Sequence, residues 1–312
     1  MWLALLLGCP GGGGDDWGLM ADQVGEGMLL AAWSDGEDVL FVGGDLDGGP
    51  GVTARYDGDS LCTSSNVTER ALWWVHGTAP GEWWAVGEAG TALHHTGGAD
   101  VRDDVPTEAT LFGVWATDTE VWAVGGSVSE NTGEVWRKTD GDWQAIATDL
   151  PGIVFKVWDN WFVGRQVAYT WNGSELEDIS AGENLLTVRG RSDNDVWAVG
   201  GTTSAAVLHW ADGDWTAFDN TSLGQPLNGV WTDPGETVWV AGNFGTAAFW
   251  DDEAASWSFS SPPTTAEHFH AVWKHNDEVF FAGGNFFSPG NNTGTITRYG
   301  PNQGLVDVTA CP

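Results

Sequence analysis

Arginine is the residue type in this sequence best suited to binding a charged substrate, because a guanidinium group makes two parallel hydrogen bonds to a carboxylate. The arginines of the chain are Arg55, Arg70, Arg102, Arg137, Arg165, Arg189, Arg191 and Arg298. Arg189 stands where similar segments of the chain carry a tryptophan, and Arg191 follows two positions later. We therefore predict that Arg189 and Arg191 contact a ligand or a partner.

The histidines offer metal ligands, but their spacing gives little support for a metal site. His94 and His95 are successive residues of a predicted strand, so their side chains point to opposite faces. His268 and His270 would share a face, and His275 lies across the next turn. Such a trio is more often a polar loop cluster than a transition-metal site, and we predict no bound metal.

Carboxylates are concentrated in turns, at residues 35–38, 193–195 and 277–278. These turns lack the dense aspartate spacing of a Ca²⁺ loop, and such side chains more often bond to the turn backbone. The sequence has no phosphate-binding loop, no Gly-x-Ser-x-Gly and no Cys–His pair with nucleophile spacing. We predict no catalytic residue and no cofactor, with Ca²⁺ binding as the alternative.

An apolar loop is the other candidate contact site. Phe286 and Phe287 precede Ser288-Pro289-Gly290, a sequence typical of an exposed loop. Exposed apolar loops on a rigid scaffold are common contact surfaces. We therefore predict that Phe286 and Phe287 contact a ligand or a partner.

The charge of the chain excludes one class of partner. The formal net charge is −33, with 44 acidic and only 11 basic residues. Nucleic-acid binding requires a basic surface, so a nucleic-acid partner is excluded. The acidity is typical of a soluble, self-repelling surface, and salt adaptation or Ca²⁺ binding are the alternatives.

The N-terminus has the features of an export signal. Residues 1–8 are an apolar run, too short to span a membrane, and resemble a secretory signal peptide. Leu6-Leu7-Gly8-Cys9 resembles a bacterial lipobox, in which the cysteine receives a lipid. We predict a lipid anchor at Cys9 and a Gly/Asp-rich tether over residues 9–28, although residues 17–28 could instead lie against the first or last blade. An ordinary cleaved signal peptide is the alternative.

The candidate residues lie within a pattern that the chain repeats seven times. Each copy has a Val-Trp-like pair, a polar turn, a second apolar run and then glycine, as in residues 113–126. We anchor the copies at Trp33, Trp74, Trp115, Trp158, Arg189, Trp231 and Trp273. The spacing is about 42 residues, except in a compressed fourth copy, and such a period predicts a β-propeller.

Each copy continues with a third apolar run, a tight turn and a fourth run that often opens with tryptophan. The turn is Asp-Gly in residues 140–142 and 212–214, which is a strong hairpin signal. We predict an all-β, single-domain, seven-bladed propeller of four-stranded antiparallel blades over residues 29–312. The anchor tryptophans would fill the wedge-shaped space between blades.

A closed ring also gives two cysteines a structural role. Cys62 lies in the fourth-strand region of the first copy, and Cys311 follows the predicted fourth strand of the seventh, residues 304–310. The first and last blades are neighbours in a ring, so we predict a disulfide between Cys62 and Cys311. Two separate thiols are the alternative.

The order of these motifs resembles that of bacterial exported propellers related to the Asp-box (BNR) group and to photosystem II assembly-factor-like repeats. Asp140-Gly141-Asp142-Trp143 and Asp212-Gly213-Asp214-Trp215 stand where that group carries its Asp-box, without the upstream serine and the threonine. The resemblance covers about residues 29–310 and implies the propeller fold. Sialidases share this architecture, which implies a carbohydrate-active enzyme as one alternative.

The sequence therefore predicts a non-catalytic propeller that acts as a binding platform for a protein or a glycan. We expect a monomer that is exported and lipid-anchored at a bacterial outer membrane or cell surface, with a soluble secreted protein as the alternative location. The alternative function is a glycosidase or lyase with a divergent Asp-box propeller site.

Overall fold

The computed structural model describes residues 15–261, 263–286, 293–302 and 304–311. These residues form strands, turns and loops, and no helix occurs among them. The N-terminal strand is β1 (Asp16–Val24). Blade 1 contains β2 (Met28–Ser34), β3 (Val39–Gly44), β4 (Gly51–Tyr56) and β5 (Leu61–Thr68). Blade 2 contains β6 (Leu72–Ala79), β7 (Glu82–Gly87), β8 (Ala92–Thr96) and β9 (Ala99–Arg102).

The next three blades follow the same order of strands. Blade 3 contains β10 (Thr110–Ala116), β11 (Val121–Ser127), β12 (Thr132–Lys138) and β13 (Gln144–Leu150). Blade 4 contains β14 (Val154–Trp158), β15 (Trp161–Gly164), β16 (Ala168–Trp171) and β17 (Leu176–Asp178). Blade 5 contains β18 (Leu185–Ser192), β19 (Asp195–Gly200), β20 (Ala206–Ala211) and β21 (Asp214–Ala217).

The last two blades complete the ring. Blade 6 contains β22 (Leu227–Trp231), β23 (Trp239–Gly242), β24 (Ala247–Asp251) and β25 (Ser256–Phe259). Blade 7 contains β26 (His268–His275), β27 (Glu278–Gly284), β28 (Gly294–Gly300) and, on its outer edge, β1. A short strand, β29 (Val308–Ala310), adds a fifth strand to blade 1. The prediction of a seven-bladed propeller is confirmed.

The first strand of each blade contacts the first strand of the next blade, and β2 contacts β26, so that the seven inner strands surround a central channel. Every inner strand carries a β-bulge at the same position. The bulge comes one residue after the residue that pairs with the recurring glycine of the second strand. The bulged residues are Leu30, Trp73, Phe112, Phe155, Leu186, Asn228 and His270, and we call them the collar. A bulge redirects a side chain and bends its strand. The collar therefore marks one end of the channel.

The recurring glycine at the end of each second strand is required by this bulge. The backbone of the inner strand comes so close that a Cβ at Gly43 would lie 1.7 Å from the Met28 carbonyl oxygen. At Gly283 it would lie 1.8 Å from the His268 carbonyl oxygen. Backbone at that distance leaves no room for any side chain, so only glycine fits.

The recurring tryptophans lie at the other end of the inner strands, near the hairpin turn. Trp33 packs on Gly77 of the next blade, and Trp158 packs on Gly190 in the same way, because a Cβ at either glycine would meet the tryptophan ring. The anchor of blade 2 was wrong by two residues: His76, not Trp74, pairs with the second strand as Trp115 does in blade 3. The hairpin of blade 2 is longer, which shifted the alignment.

The N-terminal segment closes the ring. The tether predicted over residues 9–28 is wrong from Asp16 onward, because β1 pairs antiparallel with β28 as the fourth strand of blade 7. This agrees with the alternative that residues 17–28 lie against the last blade. Trp17 contacts Trp239 and Tyr299, with ring centroids 6.3 and 5.0 Å apart. Its partner across the strands is Tyr299, just as Trp215 faces Trp210 in blade 5. The propeller therefore begins at Asp16 rather than at residue 29.

The C-terminal segment forms a second closure. The prediction that residues 304–310 are the fourth strand of blade 7 was wrong, because β1 occupies that edge and β29 pairs parallel with β5 in blade 1. Cys311 is joined to Cys62 of blade 1 by a disulfide with an S–S distance of 2.16 Å. The Arg298 guanidinium donates to the Gly304 carbonyl oxygen at 3.0 Å, which fastens the start of this segment.

Candidate functional site

The two arginines predicted as contact residues are engaged within the protein. The Arg189 side chain is only 12% exposed, and its Nη2 donates to Asp233 at 2.9 Å. Its guanidinium carbon lies 4.8 Å from the centre of the Trp273 ring and 5.7 Å from that of Trp115. Arg191 donates to the Thr232 hydroxyl and pairs with Asp195. Arg189 therefore takes the structural place of a tryptophan at the end of the channel opposite the collar.

Several other acidic and basic residues form one repeated contact. An acidic residue at the start of the second strand pairs with a basic residue on the third strand, across an aromatic or leucine side chain. The pairs are Asp38–Arg55, Glu82–His94, Glu120–Arg137, Asp195–His209 and Glu278–Arg298. Because each pair belongs to its own blade, these arginines do not converge on one substrate.

The histidine trio considered for metal binding is not assembled. His268 and His275 stand at opposite ends of β26, and the His275 ring bonds to the Ser34 hydroxyl at 2.6 Å. Among the residues that the structure describes, no three His, Cys, Asp or Glu side chains form a group that could hold a metal ion.

Aromatic rings form a continuous series at the collar end of the channel. Seven rings follow one another, each in contact with the next, from a loop of blade 6 to the inner strand of blade 4. They are Phe244, His268, Phe286, His270, Trp73, Phe112 and Phe155, and we call them the aromatic arc. Neighbouring centroids lie 4.6 to 6.0 Å apart along the whole arc.

The collar bulges supply four members of the arc and bring distant blades together. Trp73 of blade 2 lies 5.8 Å from His270 of blade 7, so the two rings face each other past blade 1. Trp73 and Phe155 remain partly exposed, while Phe112 is buried. The buried Nε1 of Trp73 has no hydrogen-bond acceptor among the described residues. The arc therefore offers apolar surface at the channel mouth, through the partly exposed Trp73 and Phe155.

Phe244 is the most exposed member of the arc and has an unusual backbone. Its side chain is 55% exposed, and its φ is +54°, followed by +71° at Gly245. Two successive positive φ values define a type I′ turn, which favours asparagine or glycine at its first central position. A phenylalanine in this conformation costs about 1 kcal/mol or more. The exposed ring of Phe244 is therefore a candidate contact residue.

Polar side chains inside the channel satisfy backbone groups that the bulges leave unpaired. The buried Lys156 donates from Nζ to the Phe112 carbonyl oxygen at 2.6 Å. The His270 Nδ1 donates to the Leu30 carbonyl oxygen, also at 2.6 Å. The burial of an unpaired carbonyl is costly, so these residues have a structural role.

The electrostatics of the channel follow from burial. Lys156 Nζ lies 4.1 Å from the centre of the Trp74 ring, and burial lowers the pKa of Lys156 to about 7. Burial, and then the charge of Lys156, lower the pKa of His270 to about 3. Burial also lowers the pKa of His268. The two histidines of the arc are therefore neutral at physiological pH.

The predicted contact residues thus fall in different places. Phe286 belongs to the arc, Arg189 and Arg191 lie at the opposite end of the channel, and Phe287 lies outside the described residues. Sequence reasoning missed the collar. The signal was present, since a large apolar residue stands two positions before the Val-Trp-like pair in five of the seven copies, at Leu30, Trp73, Phe112, Phe155 and Leu186.

The predicted signal segment and Cys9 also lie outside the described residues. Within the described part of the chain, no helix has the length and apolar character needed to cross a membrane.

Solved structures of the same fold come from proteins of different kinds. YCF48 bound to D1 peptide matches with a TM-score of 0.67 and 16% identity, over 91% of this chain and 96% of that one. A catalytically inactive virginiamycin B lyase from Staphylococcus aureus, with quinupristin, matches with a TM-score of 0.72 and 12% identity, over 92% and 99%. The WD40 propeller domain of Doa1 matches with a TM-score of 0.67 and 13% identity, over 91% and 97%.

At these identities the likeness shows the propeller fold alone. No protein-family model matches the sequence, and no curated protein matches it either. The resemblance to exported Asp-box propellers therefore stays a prediction. The neighbours include a lyase as well as a propeller bound to a peptide, so the fold does not decide whether the chain is an enzyme.

Proposed function

We propose that this chain is a non-catalytic propeller that binds a segment of a partner protein on the aromatic arc. The observation that carries the proposal is the unbroken series of six contacts that joins seven rings across the channel mouth and ends in the exposed Phe244. Aromatic clusters with this combination of apolar faces and polar edges are typical of the centres of protein interfaces.

The chemistry of the partner segment follows from the surface around the arc. The arc and the half-buried Leu186 of the collar favour aromatic or aliphatic side chains. Beside the arc, Asp22 and Glu267 line one small cavity, and the chain as a whole carries a net charge of −33. An apolar segment flanked by lysine or arginine residues fits this arrangement.

The comparisons supply a precedent for this mode of binding. YCF48 has the same fold and was determined in complex with a D1 peptide, which supports the proposal that a propeller of this size holds a peptide. No contact within the described residues favours the enzymatic alternative, because the arginines expected to hold a carboxylate substrate are divided among internal ion pairs.

The location that we propose is the outer surface of a bacterial envelope, with Cys9 as the lipid-anchored residue. The motif Leu6-Leu7-Gly8-Cys9 supports this location. A lipid-anchored propeller would present its rim to partners in the same compartment. Mass spectrometry of the N-terminal peptide from the native host tests the anchor, and an unmodified Cys9 would contradict it.

A displayed library of random dodecapeptides, selected on the purified protein, tests the binding function. We expect selected peptides to share an aromatic or aliphatic anchor next to basic residues, and to lose about thirtyfold in affinity for Phe286→Ser, as at an interface hot spot. Val128→Ser is the matched control, since Val128 is 58% exposed in a loop of blade 3 but lies outside the arc.

Two results would contradict the proposal. In the first, the selected peptides bind Phe286→Ser as tightly as they bind the unchanged protein. In the second, the protein cleaves glycans from an array and this turnover is lost in Arg189→Lys or Arg191→Lys, which would establish the enzymatic alternative.

A further inference from the structure

We propose that the cavity at the histidine end of the aromatic arc binds a side-chain amide, the group carried by asparagine and glutamine. This inference rests on the proposed function, because the amide would belong to the partner segment held on the arc. The cavity has a volume of about 290 Å³ and is lined by Asn228, Asn243, His268, His270 and Phe286. It lies beside the collar, where His270 meets both Phe286 and Trp73.

The hydrogen bond of His270 Nδ1 determines the tautomer of the imidazole ring. A carbonyl oxygen only accepts, so the bond of 2.6 Å to Leu30 requires that Nδ1 carry the proton. In the neutral ring, Nε2 is then a hydrogen-bond acceptor. Nε2 has no partner among the described residues. Because Nδ1 is held by blade 1, the ring cannot turn over to present a donor instead.

Two hydrogen bonds also fix the orientation of the Asn228 side-chain amide. Its Nδ2 donates to the Phe269 carbonyl oxygen at 2.8 Å and to the Asn243 Oδ1 at 3.0 Å. Both amide protons of Asn228 are thereby used, and its Oδ1 remains as an acceptor without a partner in the described part of the chain. Asn243 uses its Oδ1 in the same contact, which leaves its Nδ2 as a donor.

The cavity thus offers two acceptors, His270 Nε2 and Asn228 Oδ1, and one donor, Asn243 Nδ2. A primary amide carries the complement of this set: two N–H donors and one carbonyl acceptor. A carboxylate would place its oxygens against two acceptors. An ammonium ion would enter a cavity without an acidic residue in its lining. Both charged groups are therefore rejected, because their charge would be desolvated without a partner.

The size of the cavity favours a side chain over a separate small molecule. Pockets for small-molecule ligands usually have volumes of about 300–1,000 Å³, so this cavity is at the lower limit. The ring of Phe286 forms one wall, and it provides an apolar contact for the methylene groups next to an amide. A glutamine whose neighbour carries an aromatic anchor would fill the cavity and the arc together.

The test compares three dipeptide probes on the full-length protein by isothermal titration calorimetry. They are N-acetyl-phenylalanyl-glutamine N-methylamide and the same compound with glutamic acid or methionine in place of glutamine. We expect the glutamine probe to bind about tenfold more tightly than either of the others, since a site built for hydrogen bonds rejects an analogue that lacks them. We also expect the ¹⁵N signal of His270 Nε2 to shift only with the glutamine probe.

The variant Asn243→Ala should remove the preference for the glutamine probe over the methionine probe, because the cavity loses its donor. Asn194→Ala is the matched control, because Asn194 lies in a hairpin turn at the other end of the channel. Both variants are first compared with the unchanged protein in thermal unfolding. If Asn243→Ala unfolds early, the ¹⁵N shift of His270 in the unchanged protein decides the question.

The outcomes separate this inference from the function on which it rests. Equal binding of the three probes at the arc overturns the amide site but leaves the peptide-binding platform intact. If no probe binds, and N,N′-diacetylchitobiose binds and shifts the His270 signal, both are overturned and the cavity is a glycan site. If neither the probes nor the disaccharide bind, the amide site is overturned, and the selected dodecapeptides with Phe286→Ser decide the platform separately.

Discussion

The replacement of Lys156 by methionine should change the pH dependence of stability in one defined window. Lys156 is 3% exposed, its single hydrogen bond to protein goes to the Phe112 carbonyl oxygen, and burial lowers its pKa from 10.5 to about 7. Between those two values the unfolded chain holds a proton that the folded chain does not. The free energy of unfolding therefore rises with pH across this window, by up to about 1.4 kcal/mol per pH unit.

Over the whole window the contribution reaches about 5 kcal/mol, from the size of the pKa shift. Lys156→Met removes this pH dependence. Below pH 7 the variant should be more stable than the unchanged protein by the cost of the buried charge, less about 1–3 kcal/mol for the carbonyl that loses its donor. Above pH 10.5 only the loss of the hydrogen bond remains, so the variant should be less stable there.

Urea denaturation followed by tryptophan fluorescence, at one-unit steps from pH 6 to pH 10, measures the difference between the two proteins. Lys138→Met is the control, since it removes another lysine that pairs with a carboxylate, Asp103 at 3.0 Å, and that is not fully buried. A Lys156→Met variant whose stability parallels that of the unchanged protein at every pH would refute the reasoning. It would mean that the lysine is solvated in the folded state.

Three further predictions concern closure of the ring and stability in acid. Reduction of the Cys62–Cys311 disulfide, which spans 249 residues of sequence, should lower the free energy of unfolding by about 5 kcal/mol in the chain-entropy model. A urea midpoint that does not change in reductant would contradict this. Trp17→Ala should lower the free energy of unfolding by about 3–5 kcal/mol in the same assay, because the Trp17 side chain packs on blades 6 and 7. A loss below about 1 kcal/mol would mean that β1 does not hold the propeller closed. Burial, and then the charge of Arg189, lower the pKa of His76 to about 3. Between about pH 6.5 and 3 the unfolded chain therefore binds a proton that the folded chain does not, so the free energy of unfolding falls as the pH falls. His76→Phe should weaken this fall, and an acid transition identical to that of the unchanged protein would contradict the prediction.

The architecture could be predicted because it depends on a repeated pattern. The apolar pair, the glycine and the Asp-Gly turn recur in copy after copy, and each copy needs the same packing against its neighbours. The alignment failed at His76 because the pattern has no tryptophan there and the hairpin is longer. The segment at Asp16–Val24 was predicted only as one that could lie against the first or last blade, because glycines precede it, although its Asp-Trp opening is the same as in β21, which begins at Asp214.

The candidate site could be predicted only in part, because it depends on contacts between blades that are distant in sequence. Phe286 was identified from its own loop. The bulges that bring Trp73 to His270 break the two-residue periodicity of a strand, so their side-chain direction could not be inferred from alternation. Arg189 was identified because it stands where other copies carry a tryptophan, but its contacts with Asp233 and Trp273 join different blades and are evident only in the structure.

The most direct measurement of the central claim is made on Phe244→Asn. Asparagine tolerates the positive φ of this turn position, so the free energy of unfolding should stay the same or rise by up to about 1 kcal/mol. The affinity for peptides selected on the unchanged protein should fall by about thirtyfold, because the exposed end of the arc is gone. A variant that keeps its full affinity would contradict the claim that the aromatic arc is the binding surface.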